Sequence, residues 1–239
     1  MSGDGPGIVT ECRDNIGWIT LNRPHKANAL TIGMQVRIVE FLRAAATDDS
    51  VAAIILTGAG TRAFCGGADF SEVTARAPAE QAQIRSRHFF DCCLAFIEFP
   101  KPLITAINGH ACGSGFMLAL LADACVATPD ATFSLPEIAR GQSTFAGASL
   151  LNRLLGDLVA RDLVLSGRRM DAAEAMRLSL VSAICPPDEL HVRATDIAMR
   201  LARNSPRAYR LNKEWIYRDY RALLEEAAKQ SAAARPQAP

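Results

Sequence analysis

The amino-acid sequence predicts an α/β fold with a helical C-terminal part. Through the first two-thirds of the 239 residues, segments of strand character alternate with segments of helical periodicity, as in sheets that are covered by helices. In the last third, helical patterns dominate and one short strand interrupts them. Neither an internal repeat nor a long linker occurs. We therefore expect an α/β core over residues 1–187 and a helical region over 188–239 that ends in a disordered tail.

The elements of the first two-thirds follow from short-range patterns. Asp14 and Asn15 lie between two apolar stretches within residues 8–22, which predicts a β-hairpin. Thr31 is a residue type that caps helices, and the apolar side chains behind it keep a helical spacing over residues 31–46. The remaining predicted elements are a strand at Val51–Leu56, a helix that ends before Pro100, a strand at Leu103–Ile107, a helix over 114–121 and a strand at Cys125–Ala127.

Beyond residue 145 the chain changes to longer helical patterns. The predicted helices are Leu150–Leu165, Ala172–Leu180, Glu189–Arg203 and Pro206–Gln230, and one strand is predicted at Val181–Ile184. The segment Ala232–Pro239, rich in alanine and proline, is expected to fray.

Composition excludes several classes of protein. Hydrophobic residues make up 49% of the chain and charged residues 21%, unlike the apolar-poor sequences that stay disordered. Lys and Arg total 26 against 25 Asp and Glu. The resulting near-zero net charge argues against nucleic acid as the principal partner.

Cysteine usage and targeting patterns indicate where the protein resides. The seven cysteines are an odd number and form no Cys-x-x-Cys pair, so reduced thiols are expected and a metal site is not. The longest apolar run, Phe116–Ala122, is far shorter than a membrane helix. Met1–Gly7 has neither the basic flank nor the apolar stretch of a signal peptide. We expect a cytoplasmic protein without a membrane partner.

Three glycine-rich segments are candidates for a functional site. The first, Gly58–Ala63, formally matches the Gly-x-Gly-x-x-Gly/Ala motif of dinucleotide sites. Such a site needs a helix that begins within the motif, because the pyrophosphate binds at the N-terminus of that helix. Gly66 and Gly67 follow at once and disfavour a helix. A tight turn is therefore the favoured interpretation.

The second and third segments both offer backbone amides. In Phe64–Phe70 the paired glycines permit a turn, and Ala68 has almost no side chain to cover its own N–H. The alternative is a simple turn in which Asp69 caps the next helix. In Asn108–Asp123, small residues lead into a wholly apolar helix. Its first amides, at Gly113–Gly115, should point into the protein, where the helix dipole favours developing negative charge.

Together these segments resemble the enoyl-CoA hydratase/isomerase (crotonase) superfamily. Individually the matches are weak, but they occur in the order of the family and cover roughly residues 10–215. The matching stretches are Leu21–Leu30, Leu56–Asp69, Lys101–Gly115, Ala131–Glu137 and Ser166–Ala175.

The resemblance implies a spiral of ββα units, assembly into homotrimers or hexamers, and an acyl-CoA thioester as substrate. It implies no cofactor besides the coenzyme A of that substrate. It matches the backbone N–H groups of Ala68 and Ser114 to the pair that holds the thioester oxygen, in agreement with the amide donors expected from the residues. The other positions that it matches to substrate contacts are Arg23, Lys26, Ala27, Gly67, Asp69, Phe70, Gly113 and Met117. As loop cations, Arg23 and Lys26 could contact the phosphates of CoA or only be solvated.

Acid–base chemistry is expected to depend on Glu137. Hydratases of the superfamily have two glutamates, and the resemblance matches the first to Met117, which cannot exchange a proton, and the second to Glu137. A single glutamate with two amide donors is similar to the pattern of enoyl-CoA isomerases. Enclosure by apolar groups should raise the pKa of the Glu137 carboxyl. The alternative is a capping box formed by Ser134 and Glu137.

Two regions depart from the family pattern. Arg140–Ser149 replaces the glycine-rich stretch that lines the acyl pocket in relatives, so the resemblance implies no chain-length preference. The final helix of the family has no counterpart after Gln230, so we expect a fold shortened at the C-terminus.

Isomerisation of an unsaturated acyl-CoA is the favoured function. Hydration by Glu137 alone, thioester hydrolysis and decarboxylation stay open, because one enolate-stabilising pair of amides serves all of these reactions. The alternatives from other classes are a non-catalytic acyl-CoA-binding protein and a dinucleotide-dependent reductase.

Overall fold

The computed structural model describes residues 7–71 and 78–234. Most of the predicted polar N-terminus, residues 1–6, and the end of the predicted tail, residues 235–239, lie outside these ranges. The strands within them are β1 (Ile8–Arg13), β2 (Ile16–Leu21), β3 (Ala53–Gly58), β4 (Ala63–Cys65), β5 (Leu103–Ile107), β6 (His110–Cys112), β7 (Ala124–Ala127), β8 (Thr132–Ser134), β9 (Met170–Asp171) and β10 (Ala183–Ile184).

Helices connect and cover these strands. They are α1 (Ile32–Thr47), α2 (Pro78–Glu98), α3 (Ser114–Leu121), α4 (Phe145–Leu155), α5 (Asp157–Ser166), α6 (Ala172–Arg177), α7 (Leu190–Ala202), α8 (Pro206–Tyr217) and α9 (Tyr220–Ala233). Two short 3₁₀ helices occur at Pro24–Lys26 and Pro136–Arg140. Among the described residues, no helix combines the length and the apolar character needed to cross a membrane.

The strands form two sheets that wind together as a spiral. The larger sheet has the order β1-β2-β3-β5-β7-β10, and the smaller has the order β4-β6-β8-β9. Three successive units each place one strand in the larger sheet, the next strand in the smaller sheet and then a helix: β3-β4-α2, β5-β6-α3 and β7-β8-α4 with its preceding 3₁₀ turn. Neighbouring strands of these units are parallel in both sheets. This confirms the predicted α/β spiral of ββα units.

Several local predictions are confirmed. β1 and β2 form the antiparallel hairpin, and its turn residues Asp14 and Asn15 have φ angles of 52° and 62°, a conformation that these residue types tolerate. The Thr31 hydroxyl accepts a hydrogen bond from the Met34 N–H at 3.2 Å and caps α1. The apolar helix predicted over 114–121 is α3, all of whose residues are buried.

Other predictions need correction. The predicted helix Leu150–Leu165 is two helices, because Gly156 has a φ of 84°, which is not helical, and separates α4 from α5. The predicted helix Pro206–Gln230 is also two helices, α8 and α9, and α9 lies against α2 and α4. The sequence analysis did not predict β4, β6 and β8, because strands of three residues are too short to show an alternating pattern.

The larger sheet separates two apolar clusters. On β2, alternate side chains enter different clusters: Trp18 packs with Ile197 of α7, and Ile19 packs in the larger cluster that includes α1, α2 and α3. This alternation follows from the two-residue period of a strand. The helical C-terminal part thus covers one face of the sheet through α7.

A buried ion pair attaches α8 to the core. The Lys213 side chain is 5% exposed, and its Nζ lies 2.7 Å from Oδ2 of Asp123, directly after α3. The same carboxylate oxygen accepts a hydrogen bond from the Leu103 N–H at the start of β5. Burial lowers the pKa of Lys213, although Asp123 opposes the shift. The pair therefore joins three elements that are distant in sequence.

We predict that Lys213→Met lowers the free energy of unfolding by about 3 kcal/mol, because removing one partner leaves the Asp123 carboxylate buried without its cation. Urea denaturation followed by circular dichroism measures this change. Lys229→Met, at an exposed position of α9, is the control and should change stability by less than about 0.5 kcal/mol. Equal effects of the two substitutions would contradict the anchoring role.

Candidate active site

The first glycine-rich segment forms a tight turn between strands. β3 ends at Gly58, where an added Cβ would lie 2.5 Å from the carbonyl oxygen of Phe64, so only glycine fits. β4 begins at Ala63, at the point where a dinucleotide site would need a helix. The segment serves to bring the chain from the larger sheet to the smaller one.

The second segment presents the Ala68 amide. Leu30 forms a bridge with this loop: its N–H donates to the Gly67 oxygen at 2.8 Å, and its oxygen accepts from the Asp69 N–H at 2.9 Å. Because the groups on either side of Ala68 bond to Leu30, the N–H of Ala68 itself points to the opposite side of the loop. In the described part of the chain, the Ala68 N–H donates no hydrogen bond.

The third segment presents the Ser114 amide. Gly113 has a φ of 53°, and its oxygen accepts the first hydrogen bond of α3, from the Met117 N–H at 3.0 Å. Ser114 is therefore the first helical residue, and no acceptor for its N–H is found within residues 7–71 and 78–234. Since α3 is buried throughout, the positive end of its dipole points into the protein.

The two segments meet at their glycines. A Cβ on Gly67 would lie 3.2 Å from the Cys112 oxygen, and one on Gly113 would lie 3.8 Å from the Cα of Gly67. Both glycines have positive φ angles, of 99° and 53°. Backbone therefore packs against backbone at this point. As a result Ala68 and Ser114, which each follow one of these glycines, line one cavity.

Glu137 faces the same place. It lies on the 3₁₀ helix Pro136–Arg140, and its Oε1 is 3.0 Å from the position of a Cβ on Gly113. Its Oε2 is buried and has no hydrogen-bond partner in the described part of the chain. Burial raises the pKa of the Glu137 carboxyl, while its own backbone N–H and the charge of Arg140 act in the opposite direction. Such a carboxyl can both accept and return a proton.

The capping-box alternative for Glu137 is wrong. The 3₁₀ helix has Leu135 at its N-cap and no side-chain cap. Ser134 lies in β8, and its backbone oxygen accepts from the Gly113 N–H at 2.9 Å. The carboxylate of Glu137 is therefore not used to close a helix end.

These groups surround a cavity of about 70 Å³. The predicted residues that line it are Gly67, Ala68, Phe70, Gly113, Ser114 and Glu137. The lining residues that the sequence analysis did not select are Gly66, Cys112, Pro136, Arg140 and Gln142. The position of Arg140 could have been predicted from its spacing. Arg140 follows Glu137 by three residues, and side chains three apart on a 3₁₀ helix lie on the same side.

Arg23 and Asp69 have a different environment from the one expected of surface residues. Arg23 is 7% exposed, its Nη1 lies 2.7 Å from Oδ2 of Asp69, and the same nitrogen donates to the Ala29 oxygen at 3.0 Å. Burial by itself would raise the pKa of Asp69, but hydrogen bonds from Ser71 and the Arg23 charge outweigh it and lower the pKa. The expectation of a solvated or phosphate-binding Arg23 is thus corrected: its side chain holds the Ala68 loop in place.

Three other predicted contacts are not among the residues that line the cavity. Lys26 is exposed at the end of the 3₁₀ helix Pro24–Lys26. The oxygen of Ala27 accepts a hydrogen bond from the Gly66 N–H at 2.8 Å. Met117 is 7% exposed, one turn into α3. Their contacts with substrate remain predictions.

The cysteines near the cavity are not activated. Burial raises the pKa of the Cys65 thiol to about 12 and also raises that of Cys112, so both are thiols at neutral pH. In the described ranges, no cluster of three or more His, Cys, Asp and Glu side chains could hold a metal ion. The cavity thus holds the carboxyl of Glu137 and the amides of Ala68 and Ser114 beside the protonated thiol of Cys112.

Comparison with known proteins gives the family. The family model described as enoyl-CoA hydratase/isomerase matches residues 11–236. The chain belongs to this family. The sequence resemblance to the crotonase superfamily is thereby confirmed.

Relatives and solved structures agree with this assignment. The chain is 37% identical over 224 residues to the 2,3-dehydroadipyl-CoA hydratase of Escherichia coli strain K12, covering 93% of this chain and 86% of the relative. It is similar to the crystal structure of an enoyl-CoA hydratase from Bacillus anthracis, with a TM-score of 0.83 and 31% identity over 96% of this chain and 92% of that one. An enoyl-CoA hydratase/isomerase from Xanthobacter autotrophicus Py2 gives a TM-score of 0.84 and 30% identity, covering 95% and 86%.

Because the folded state raises the pKa of Glu137 above its unfolded value, ionisation of this carboxyl destabilises the protein as the pH rises through the folded pKa. We predict that Glu137→Gln raises the free energy of unfolding at pH 7 by about 1 kcal/mol. The difference should disappear at a pH below about 4, where the carboxyl is protonated in both states. Glu40→Gln, at an exposed position of α1, should show neither effect in the same urea titrations. If Glu137→Gln is less stable than the natural protein at pH 7, the Glu137 carboxylate has a stabilising partner and this prediction is wrong.

Proposed function

We propose that the protein transforms an unsaturated acyl-CoA thioester through an enolate, with Glu137 as the acid–base group. The observation that carries this proposal is the carboxyl of Glu137, with one buried unpartnered oxygen, beside the close approach of Gly67 and Gly113. Removal of a proton from C2 of the acyl group places negative charge on the thioester oxygen. The N–H groups of Ala68 and Ser114 would bind that oxygen as the charge develops.

The single carboxyl favours isomerisation of a 3-enoyl-CoA to a 2-enoyl-CoA. Glu137 would take a proton from C2, the resulting dienolate would be held by the two amides, and the same proton would return at C4. No other group need donate or accept a proton. Met117, at the position that the family resemblance matches to the first glutamate of hydratases, offers no oxygen or nitrogen to hold a water molecule.

Hydration of a 2-enoyl-CoA is the second candidate. The relative from Escherichia coli and the similar structure from Bacillus anthracis are both named hydratases. In this chain Glu137 would then have to activate the water and also protonate C2. The polar side chains of Arg140 and Gln142 in the same cavity favour access of water and support this candidate.

The remaining features of the proposal concern the rest of the substrate and the assembly. Lys26, exposed at the end of the 3₁₀ helix Pro24–Lys26, would contact a phosphate of coenzyme A, and the proton transfers would need no further cofactor. An assembly of identical chains, as trimers or hexamers, would cover the exposed apolar residues of α8, where Trp215 is 68% exposed and Ile216 is 60% exposed.

We predict that Ser114→Pro lowers kcat by about 100-fold or more, because proline removes the backbone N–H that binds the oxyanion. Proline is tolerated at the first position of a helix, which Ser114 occupies. Ser114→Ala keeps the N–H and should stay within a few fold of the natural protein. If both variants lose activity equally while remaining folded, the amide is not the donor.

A second prediction separates the two reactions. Purified protein should convert 3-hexenoyl-CoA to 2-hexenoyl-CoA, with product followed by chromatography, and Glu137→Gln should lower this rate by about 1000-fold or more. Met117→Glu should add or raise hydration of 2-hexenoyl-CoA, because it supplies a second carboxyl near Gly113.

The outcomes distinguish the candidates. Hydration by the natural protein without isomerisation would favour the second candidate. Turnover of either substrate that survives Glu137→Gln would overturn the mechanism for both. Tight binding of acyl-CoA without turnover of any thioester would favour a non-catalytic binding protein.

A further inference from the structure

The wall of the cavity beyond Glu137 is built from polar residues. Glu137 and Arg140 are three apart on the 3₁₀ helix Pro136–Arg140, so their side chains emerge on the same side. The Gln142 backbone N–H donates a hydrogen bond to the backbone carbonyl oxygen of Glu137 at 3.0 Å. This bond folds the segment back after Gly141. Both Arg140 and Gln142 line the cavity together with Glu137.

The guanidinium of Arg140 has no carboxylate partner within residues 7–71 and 78–234. Two other arginines differ in this respect. Arg23 is paired with Asp69, and Arg168 is paired with both Asp162 and Glu174. Arg140 is exposed, so its charge and its donors are available to a ligand in the cavity.

The lining mixes small apolar groups with a few polar ones. Among the described residues that line the cavity there is no leucine, isoleucine, valine or methionine, and Ala68, Phe70, Cys112 and Pro136 are its apolar members beside the glycines. Binding of an alkyl chain depends on contact with apolar surface, at roughly 25 cal/mol per Å² buried. Arg140 and Gln142 add a cation and an amide, which an alkyl chain would leave unused and a polar acyl group would bind.

The direction in which the acyl chain runs follows from the proposed chemistry. The thioester oxygen lies at the Ala68 and Ser114 amides, and Glu137 must reach C2 on the acyl side of the carbonyl. Arg140 emerges on the same side of the 3₁₀ helix as Glu137 and one turn further along it. In the proposed binding mode it would face the distal carbons of a short acyl chain rather than coenzyme A.

We propose, building on the proposed function, that Arg140 with Gln142 binds a carboxylate at the far end of the acyl chain. The preferred substrates are then short unsaturated dicarboxylic acids bound to CoA through one carboxyl. A guanidinium binds a carboxylate through two parallel hydrogen bonds, and the Gln142 amide can add a third.

The test is equilibrium binding, which does not depend on turnover. Hexanoyl-CoA and hexanedioyl-CoA have the same chain length and differ in one terminal carboxylate. Calorimetry with the full chain should show hexanedioyl-CoA binding about 10-fold more tightly, the effect of a charge-assisted hydrogen-bonded contact. Arg140→Gln should abolish this preference and leave the affinity for hexanoyl-CoA within about 2-fold.

Arg169→Gln is the matched control. Arg169 is also exposed, has no carboxylate partner in the described chain and acts electrostatically on Cys112 as Arg140 does, but it does not line the cavity. The preference should survive this substitution. Unchanged unfolding midpoints for both variants show that the comparison is made on folded protein.

Each other outcome overturns the proposal. Equal affinity of the natural protein for the two esters means that Arg140 does not bind the terminal carboxylate of the acyl chain. Equal weakening of both esters by Arg140→Gln means that it contacts coenzyme A. Loss of the preference in Arg169→Gln means that only the general charge matters. Binding of neither ester is the distinct result that overturns the proposed function itself.

Discussion

The structure depends on the close approach of two backbone segments at Gly67 and Gly113. A side chain on either glycine would fall 3.2 Å from the Cys112 oxygen or 3.0 Å from the Glu137 carboxylate. The smaller sheet makes this approach possible, because β4, β6 and β8 run parallel and deliver the Ala68 loop, the start of α3 and the Glu137 turn to one end. The site is thus a consequence of the ββα repeat.

A second constraint is the pairing of buried charges. Within residues 7–71 and 78–234, both buried cations have a carboxylate partner, Arg23 with Asp69 and Lys213 with Asp123. Three buried side-chain oxygens in the described ranges lack a hydrogen-bond partner, and Glu137 supplies the carboxylate among them. Burying such a group costs stability unless a ligand completes it. Among the three, only Glu137 carries an ionisable group, and this unpartnered carboxyl is what distinguishes the site from the rest of the core.

In the proposed mechanism, the pair of amides determines the kind of intermediate, and the side chains around it determine the reaction. An oxyanion held at Ala68 and Ser114 would serve isomerisation, hydration and related reactions alike. Which of these follows would depend on where protons and water can go. Met117 can neither exchange a proton nor hold a water molecule, whereas Arg140 and Gln142 bring polar groups to the cavity. On this proposal, different parts of one small cavity control the choice of substrate and the choice of reaction.

The sequence by itself determined the features that depend on local geometry. The Asp14-Asn15 turn, the Thr31 cap, the apolar α3 and the need for glycine near Ala68 and Ser114 all follow from backbone preference and periodicity, and Glu137 was found through the family resemblance. Only the tertiary structure decided that Arg23 is buried against Asp69 and that Arg140 lies in the cavity. The environment of a charged side chain is set by segments far away in the chain, and neither spacing nor composition encodes which segment that will be.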